Sequence, residues 1–144
     1  MESRLSLQIE NNFAAINPAS EKMRAHLASC GAPGEAAFLA DLIVEELVTN
    51  TIKYGYDDDA RHFIDVTVDF QEGRLSIEIR DDGHEFNPLL QESPDTTLSA
   101  EERQIGGLGI HLVREMTDDV RYERRGHENV VIATKTFPPN PSAC

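Results

Sequence analysis

The sequence has no tryptophan, only two cysteines and no long apolar run. Cys30 and Cys144 belong to no CxxC or Cys/His cluster, so we interpret them as reduced thiols without a metal or disulfide role. No stretch approaches the roughly 20 apolar residues that a membrane helix requires, and residues 1–10 lack the apolar segment of a secretory signal. These absences predict a cytoplasmic protein that does not act on a membrane.

Basic residues are also scarce. The chain has 13 lysines and arginines against 26 acidic residues, for a formal net charge of -13. Such a charge repels a phosphate backbone, so the composition argues against a nucleic-acid-binding surface. A phosphate group would have to be bound locally, by backbone amides or a metal ion.

The length of the chain indicates one globular domain. Its 144 residues, 40% of them hydrophobic, can enclose a single core and are too few for two comfortable ones. We place this domain at residues 1–137. Residues 138–144 contain three prolines and little apolar surface, so we expect a disordered tail there.

Hydrophobic periodicity predicts the elements of the first half. Alternating apolar residues indicate a strand over residues 5–9. Asn17 and Pro18 then match an N-cap followed by the first residue of a helix, which we expect to stop near Gly31. A second helix, with apolar residues at helical spacing throughout, is predicted over residues 34–54.

The second half is predicted to contain a hairpin, a loop, a helix and two more strands. Alternation over residues 64–70 and 75–79, with Gly73 between them, predicts a hairpin with one buried face. Residues 87–105 are polar and irregular, which is typical of a functional loop. We then expect a helix and two strands, over residues 110–116, 120–123 and 130–136. This order indicates an α+β sandwich, with helices on one face of a mixed, mostly antiparallel sheet.

Three polar residues lie on one side of the second predicted helix. Glu46 and Asn50 are four residues apart and Lys53 follows three later, a spacing that aligns them along the flank of the apolar stripe. For an isolated group of this kind, a solvated helix edge is the commoner explanation. The segments that follow in the sequence therefore decide whether these residues form a solvated helix edge or part of a functional site.

Two glycine-containing segments follow. Asp81, Asp82 and Gly83 end a strand and place a carboxylate beside a turn, where ligand-facing carboxylates tend to lie, although such a turn is also ordinary by itself. Residues 106–109, Gly-Gly-Leu-Gly, open the third predicted helix. Glycines there let the backbone approach a phosphate, and the amides of a helix start favour an anion. No βαβ unit precedes them, so this is not the dinucleotide-binding pattern.

Together the three segments resemble the nucleotide-binding motifs of the GHKL ATPases, and particularly those of the bacterial anti-sigma-factor serine kinases. Residues 45–56 are similar to the N-box, residues 81–88 to the first glycine box, and residues 106–113 to the second. The resemblance extends from about the first helix to the last strand. It implies a Bergerat-type two-layer α/β sandwich that binds ATP with Mg²⁺ under a lid at residues 87–105.

The resemblance also implies roles for individual residues. Glu46 corresponds to the general base that takes the proton from a serine hydroxyl, and Asn50 to the Mg²⁺ ligand. Asp81 would accept a hydrogen bond from the adenine amino group, and Gly83 would let the chain pass close to the base. The ATP-binding set that the resemblance implies is Asn50, Lys53, Asp81, Gly83, Phe86, Gly106, Gly107, Leu108 and Gly109.

Two features depart from the family pattern. His84 and Glu85 stand where relatives often carry a second glycine before Phe86, which predicts a stiffer turn. The threonine that many GHKL proteins place beside the adenine has no clear equivalent, and Thr134 is the nearest candidate.

The resemblance implies an ATP-dependent protein serine/threonine kinase that is also an anti-sigma factor. Its partners would be an anti-sigma-factor antagonist of the STAS type, as the substrate, and a sigma factor that it sequesters. The alternative is a nucleotide-responsive binding module without kinase activity, and Glu46 distinguishes the two because a pure binder needs no general base. An ATP-hydrolysing clamp would need further domains, and a sensor histidine kinase a histidine-bearing helix pair. The oligomeric state stays open between a monomer and a homodimer.

Overall fold

Five strands form one sheet in the computed structural model, which describes residues 3–90 and 107–138. They are β1 (Arg4–Glu10), β2 (Phe63–Gln71), β3 (Arg74–Asp81), β4 (Asp119–Arg125) and β5 (Glu128–Thr136). Their order across the sheet is β1-β2-β3-β5-β4, and each pairing between these neighbours is antiparallel. The predicted α+β fold is confirmed, with β3 at the centre of the sheet.

The β2–β3 hairpin shows why these segments form strands. Apolar residues pair across it in register, Val66 with Ile79 and Val68 with Ile77, so that one face of both strands is buried. The turn contains Gly73 at a φ of 79°, a left-handed conformation that glycine adopts at little cost.

Three helices cover the apolar face of the sheet: α1 (Ile16–Ser29), α2 (Gly34–Tyr54) and α3 (Gly107–Met116). Their apolar sides and the inner face of the strands form one buried cluster. Its fully buried members include Met23, Leu27, Ile43, Leu47, Ile64, Ile77 and Ile110. The long helix α2 contacts α1, α3 and β3, and it therefore runs through the centre of the helical layer.

The start of α1 differs from the prediction. Asn17 is not the N-cap, because the helix already begins at Ile16. Instead, Asn12 caps a short 3-10 turn at Phe13–Ala15 by accepting a hydrogen bond of 3.0 Å from a backbone N–H of that turn, which leads directly into α1. Pro18 is tolerated in the first helical turn because N–H groups there have no partner within the helix.

Part of the predicted lid and most of the predicted tail lie outside the described residues. Of residues 87–105, the structure describes only the beginning, where Pro88–Leu90 form a 3-10 turn. Residues 91–106 and 139–144 are not described. In the described ranges, no helix is long and apolar enough to cross a membrane.

Candidate functional site

One side of α2 carries the first group of predicted site residues. Asn50 is 1% exposed, and its side-chain amide donates a hydrogen bond of 2.7 Å to the carbonyl oxygen of Glu46, one turn earlier. Glu46 is half-buried, whereas Lys53 is exposed. The amide, the carboxylate and the ammonium group on this side of the helix therefore differ in solvent exposure, from buried to half-buried to exposed.

The first turn of α3 lies directly against Glu46. A Cβ atom built on Gly109 would be 1.9 Å from both the carboxyl carbon and Oε2 of Glu46. Glycine at this position therefore lets the α3 backbone reach the carboxylate. Gly107 and Leu108 are the first two residues of the same helix, and Gly106 lies outside the described residues. The contact brings the second glycine box against the N-box.

The environment of Glu46 favours proton uptake. Burial raises the pKa of its carboxyl group, and the negative charge of Glu45 raises it further, whereas the positive charge of Lys53 lowers it. A carboxylate whose pKa is raised towards neutrality is a better proton acceptor than one in water. Its surroundings therefore make Glu46 a stronger proton acceptor than a carboxylate in water.

The first glycine box is attached to the end of the same helix. The carbonyl oxygen of Gly55, the C-cap of α2, accepts a hydrogen bond of 3.0 Å from the backbone N–H of His84. A Cβ atom built on Gly83 would lie 2.1 Å from that oxygen. Gly55 has a φ of -88° and Gly83 is also outside the left-handed region. Glycine is thus required here by close backbone approach and not by conformation.

These contacts bring two segments that are distant in the sequence onto α2. Glu46 meets Gly109 and Gly55 meets Gly83. The two contacts are about 14 Å apart along the helix axis, at roughly 1.5 Å per residue, and Asn50 lies between them. The segments around Gly83 and Gly109, which are far apart in the sequence, therefore both contact the second half of α2.

Asp81, the last residue of β3, is buried and uses one of its two carboxylate oxygens in hydrogen bonds. The residue is 7% exposed, and its Oδ1 accepts hydrogen bonds from the backbone N–H of Gly83 at 2.9 Å and from the side chain of Asn129 at 3.0 Å. Oδ2 accepts none from the described residues. Burial raises the pKa of Asp81, and these two hydrogen bonds offset part of that rise.

The hydroxyl of Tyr56 is a second polar group near Asp81 whose hydrogen bonding is incomplete. It is buried, and it has no hydrogen-bond partner within the described part of the chain. Burial, followed by the negative charges of Asp81 and Asp82, raises the pKa of Tyr56 well above its usual range, so the hydroxyl stays protonated and can donate. Buried polar groups without partners are rare in native proteins, and bound molecules commonly satisfy them.

Asn129 is a site residue that was not predicted from the sequence. It is 3% exposed and lies directly opposite Asp81 in the pairing of β3 with β5. Its side chain also forms hydrogen bonds with the backbone of His84 and Phe86. A signal was present in the sequence, because the alternation of β5 makes position 129 face the core, where a polar side chain requires partners.

Thr134 does not lie beside Asp81. It pairs with Ser76, five residues earlier on β3. Because side chains alternate between the two faces of a strand, Thr134 also projects from the face of the sheet opposite to Asn129. The position that faces Asp81 on β5 is therefore occupied by Asn129 and not by Thr134.

The turn after Asp81 is held by its backbone. The N–H of His84 is bonded to Gly55 and its carbonyl oxygen accepts a hydrogen bond of 2.8 Å from Asn129. The ring of Phe86 packs at a tilted angle against Tyr54, with 6.1 Å between centroids. The turn at His84 and Glu85, where the sequence departs from the family pattern, is therefore held by hydrogen bonds to Gly55 and Asn129.

Two surface cavities lie away from these residues. Their volumes are about 520 and 280 Å³, and Phe38 borders both. Phe38 is in the first half of α2 and is 63% exposed. None of the predicted nucleotide-binding residues lines either cavity, so they contribute nothing to the assignment of that site.

The sequence is similar to a known family and to characterised proteins. A family model described as histidine kinase-like ATPase domain matches residues 9–135, most of the chain. The serine-protein kinase RsbW of Listeria monocytogenes serovar 1/2a is 24% identical over 125 residues, which are 84% of this chain and 80% of that protein. The anti-sigma F factor of Bacillus cereus is 25% identical over 132 residues, 83% of this chain and 82% of that protein.

A solved structure has the same fold. The crystal structure of the RsbU and RsbW domains of a Mycobacterium tuberculosis protein matches with a TM-score of 0.65 at 14% identity. The match covers 92% of this chain, which spans only 31% of that longer chain. At this identity the likeness concerns the fold alone.

Proposed function

Because the chain belongs to the family of histidine kinase-like ATPase domains, we propose that it binds ATP with Mg²⁺ and transfers the γ-phosphate to a serine of a partner protein. The observation that carries the proposal is that Gly109 contacts Glu46 and Gly83 contacts Gly55, both along the second half of α2, with Asn50 between the two contacts in the sequence. A half-buried carboxylate, a buried amide and the start of a helix supply the positioning and charge neutralisation on which phosphoryl transfer depends.

The base of the nucleotide is proposed to bind at Asp81. Its Oδ2, which accepts no hydrogen bond from the described residues, can accept one from the adenine amino group. The buried hydroxyl of Tyr56 offers a donor nearby, and Phe86 and Tyr54 supply aromatic surface. The close approach of Gly83 to Gly55 fixes the turn that follows Asp81.

The phosphates are proposed to bind between Asn50 and the first turn of α3. Backbone amides at a helix start attract anions, and residues 106–109 would shape that turn, with Leu108 lining it. In the described ranges, no three His, Cys, Asp or Glu side chains form a cluster that could hold a metal. Mg²⁺ commonly takes one or two protein ligands together with substrate phosphates and water, so the Asn50 side chain fits that demand. Lys53, exposed on the same side of α2, would contribute positive charge.

The proposed transfer uses Glu46 as the proton acceptor. The serine Oγ attacks the γ-phosphorus, its proton passes to the Glu46 carboxylate, and the bond from the γ-phosphorus to the β,γ-bridging oxygen breaks, with its electron pair leaving on ADP. Bound Mg²⁺ would neutralise the charge that builds up on the phosphate oxygens. The raised pKa of Glu46 suits it to accept this proton.

The partners are proposed from the names of the relatives. One relative is a serine-protein kinase and another an anti-sigma F factor. We therefore propose that this chain sequesters a sigma factor, and that its substrate is an antagonist protein of the STAS type. A homodimer is compatible with this activity and is testable by light scattering.

A binding module without kinase activity is the second candidate. The name of the anti-sigma F factor describes binding and not catalysis, and this reading needs the nucleotide site but not the base. The two candidates differ in Glu46, since only a kinase uses its carboxylate during transfer.

Calorimetric titration with ATP and ADP, with and without Mg²⁺, tests the nucleotide site. We expect saturable binding of both nucleotides, with Mg²⁺ strengthening the binding of ATP. Incubation with radiolabelled ATP, Mg²⁺ and a STAS-type antagonist should then label a serine of the antagonist. Absence of any nucleotide binding would contradict both candidate functions, whereas binding without labelling would favour the binding module.

Nucleotide affinity is expected to fall on acidification because of Asp81. Its pKa lies above the usual aspartate range, since burial disfavours the charged form. As the pH falls through that raised pKa, a proton occupies Oδ2 and removes the acceptor for the adenine amino group. The affinity for Mg-ATP, measured by calorimetry between pH 8 and pH 4, should therefore decline above the pH at which an ordinary aspartate titrates.

Two variants isolate this effect. Asp81→Asn should bind more weakly and lose the decline, and it supplies the baseline for titration of the phosphates themselves. Asp82→Asn should keep the decline but move it to lower pH, because the charge of Asp82 contributes to raising the pKa of Asp81. Identical pH profiles for the protein and Asp81→Asn would exclude this role of Asp81.

A further inference from the structure

We propose that Asn129 is the positioning residue that orients Asp81 towards the nucleotide base, and that the site thereby distinguishes bases with an exocyclic amino group from those without one. This role rests on the proposed function, since it concerns the same ATP site. It does not follow from the predicted ATP-binding set, no member of which lies on β5, and Thr134, the candidate on that strand, does not lie beside Asp81.

The side-chain amide of Asn129 is fully used in hydrogen bonds. Its Nδ2 donates to Oδ1 of Asp81 at 3.0 Å and to the carbonyl oxygen of His84 at 2.8 Å. Its Oδ1 faces three donors: the backbone N–H of Phe86 at 3.2 Å, the hydroxyl of Tyr122 at 2.6 Å and the guanidinium of Arg124 at 3.1 Å. Two acceptors on one side and three donors on the other leave only one orientation of the amide that satisfies them.

This saturation means that Asn129 acts through other residues. An asparagine amide has two N–H donors, and both are already bonded within the protein. A ligand could take one of them only by breaking the bond to Asp81 or to His84. Asn129 is thus suited to hold the site in place and not to contact the base.

The bond to Asp81 decides which carboxylate oxygen faces the ligand. Asn129 and the N–H of Gly83 both bind Oδ1, so rotation of the carboxyl group would cost two hydrogen bonds. Oδ2 is left as an acceptor with a fixed direction. A fixed acceptor favours a base that presents an amino group and disfavours one that presents a carbonyl oxygen at the same place.

Strand β4, at the edge of the sheet, supports Asn129 by hydrogen bonds. Tyr122 and Arg124 are two residues apart on this strand, and both donate to Oδ1 of Asn129. Arg124 also donates a hydrogen bond of 2.8 Å to the carbonyl oxygen of Gly83. The last hairpin of the fold therefore holds the turn after Asp81 at the side chain of Asn129 and at the backbone of Gly83.

The test compares ATP with inosine triphosphate, in which a carbonyl oxygen replaces the amino group. By calorimetry with Mg²⁺, we expect the protein to prefer ATP by about 10-fold or more. In Asn129→Ala the affinity for ATP should fall about 10-fold while that for inosine triphosphate changes little, so that the preference approaches one. If Asn129 only stabilises the fold, Asn129→Ala should weaken the binding of both nucleotides equally, and that result would overturn the proposal.

Two further variants keep the test decisive if Asn129→Ala does not fold. Tyr122→Phe removes one hydroxyl that supports Asn129, creates no cavity and should reduce the preference part of the way. Thr134→Ala, on the same strand but opposite Ser76, is the matched control and should leave the preference unchanged. An unchanged preference in Tyr122→Phe, where Asn129→Ala is unfolded, would overturn the proposal.

The outcomes separate this proposal from the proposed function. If the protein binds neither nucleotide, the ATP site itself is wrong. If it binds both equally, or if folded Asn129→Ala keeps the full preference for ATP, the ATP site stands and the role of Asn129 is refuted.

Discussion

Glu46→Gln is expected to bind Mg-ATP about as tightly as the unchanged protein and to lose serine phosphorylation by about 100-fold or more, the range by which a positioned general base accelerates proton transfer. Glutamine has nearly the same shape as glutamate, so the packing of position 46 against Gly109 is retained. Its amide cannot accept the serine proton. Binding and transfer are therefore expected to separate in this variant.

The measurements are single-turnover labelling of a serine with radiolabelled ATP and a parallel calorimetric titration. Glu45→Gln is the matched control, because Glu45 is exposed on the same helix and its charge helps to raise the pKa of Glu46. The control should phosphorylate normally near neutral pH. Its rate should begin to fall at a lower pH than that of the unchanged protein, because the base then titrates at a lower pH. Equal labelling by Glu46→Gln and the unchanged protein would rule out Glu46 as the base.

Gly83→Ala is expected to destabilise the protein and to abolish nucleotide binding. The added Cβ would lie 2.1 Å from the carbonyl oxygen of Gly55 and 2.9 Å from its carbonyl carbon. Both are backbone atoms, so no side-chain rotation relieves the overlap. Overpacking of this kind typically costs about 1–3 kcal/mol, and separation of the two backbones would also break the bond from His84 to Gly55 and shift the turn after Asp81.

Gly34→Ala is the matched control for this substitution. No atom lies within 4 Å of a Cβ built on Gly34, which is the first residue of α2. Alanine favours a helix more than glycine does, so the control should be as stable as the unchanged protein or slightly more stable. Urea denaturation gives the free energies of unfolding, and calorimetry gives the affinity for ADP. Equal unfolding free energies for the two alanine variants would contradict the proposed contact.

The Gly83→Ala prediction also distinguishes two physical reasons for a glycine in a turn. Gly73 and Gly126 have left-handed backbones, so alanine there would strain the local conformation. Gly83 does not, and its requirement comes from a residue on another element. Sequence inspection identifies a glycine-rich segment in both cases, but only the tertiary contact tells which kind of requirement holds.

The sequence by itself determined the order of the elements, the limits of α2 and the β2–β3 hairpin. These follow from periodicity, since side chains that repeat every two or 3.6 residues decide which face of an element is buried. The three segments of the proposed nucleotide site were also visible, because each combines glycine with polar residues over a few positions. Local patterns of this kind need no knowledge of the rest of the chain.

Only the tertiary structure decided how the segments support each other. Asn129 is 48 residues from Asp81 and 43 from Phe86. The alternation of β5 places position 129 on the core side, but nothing local in the sequence identifies these partners. The contacts of Gly83 with Gly55 and of Gly109 with Glu46 are likewise between separate elements. Periodicity indicates which face of a single element is buried and which is exposed to water. Close approach and hydrogen bonds between elements depend instead on where the tertiary fold places those elements.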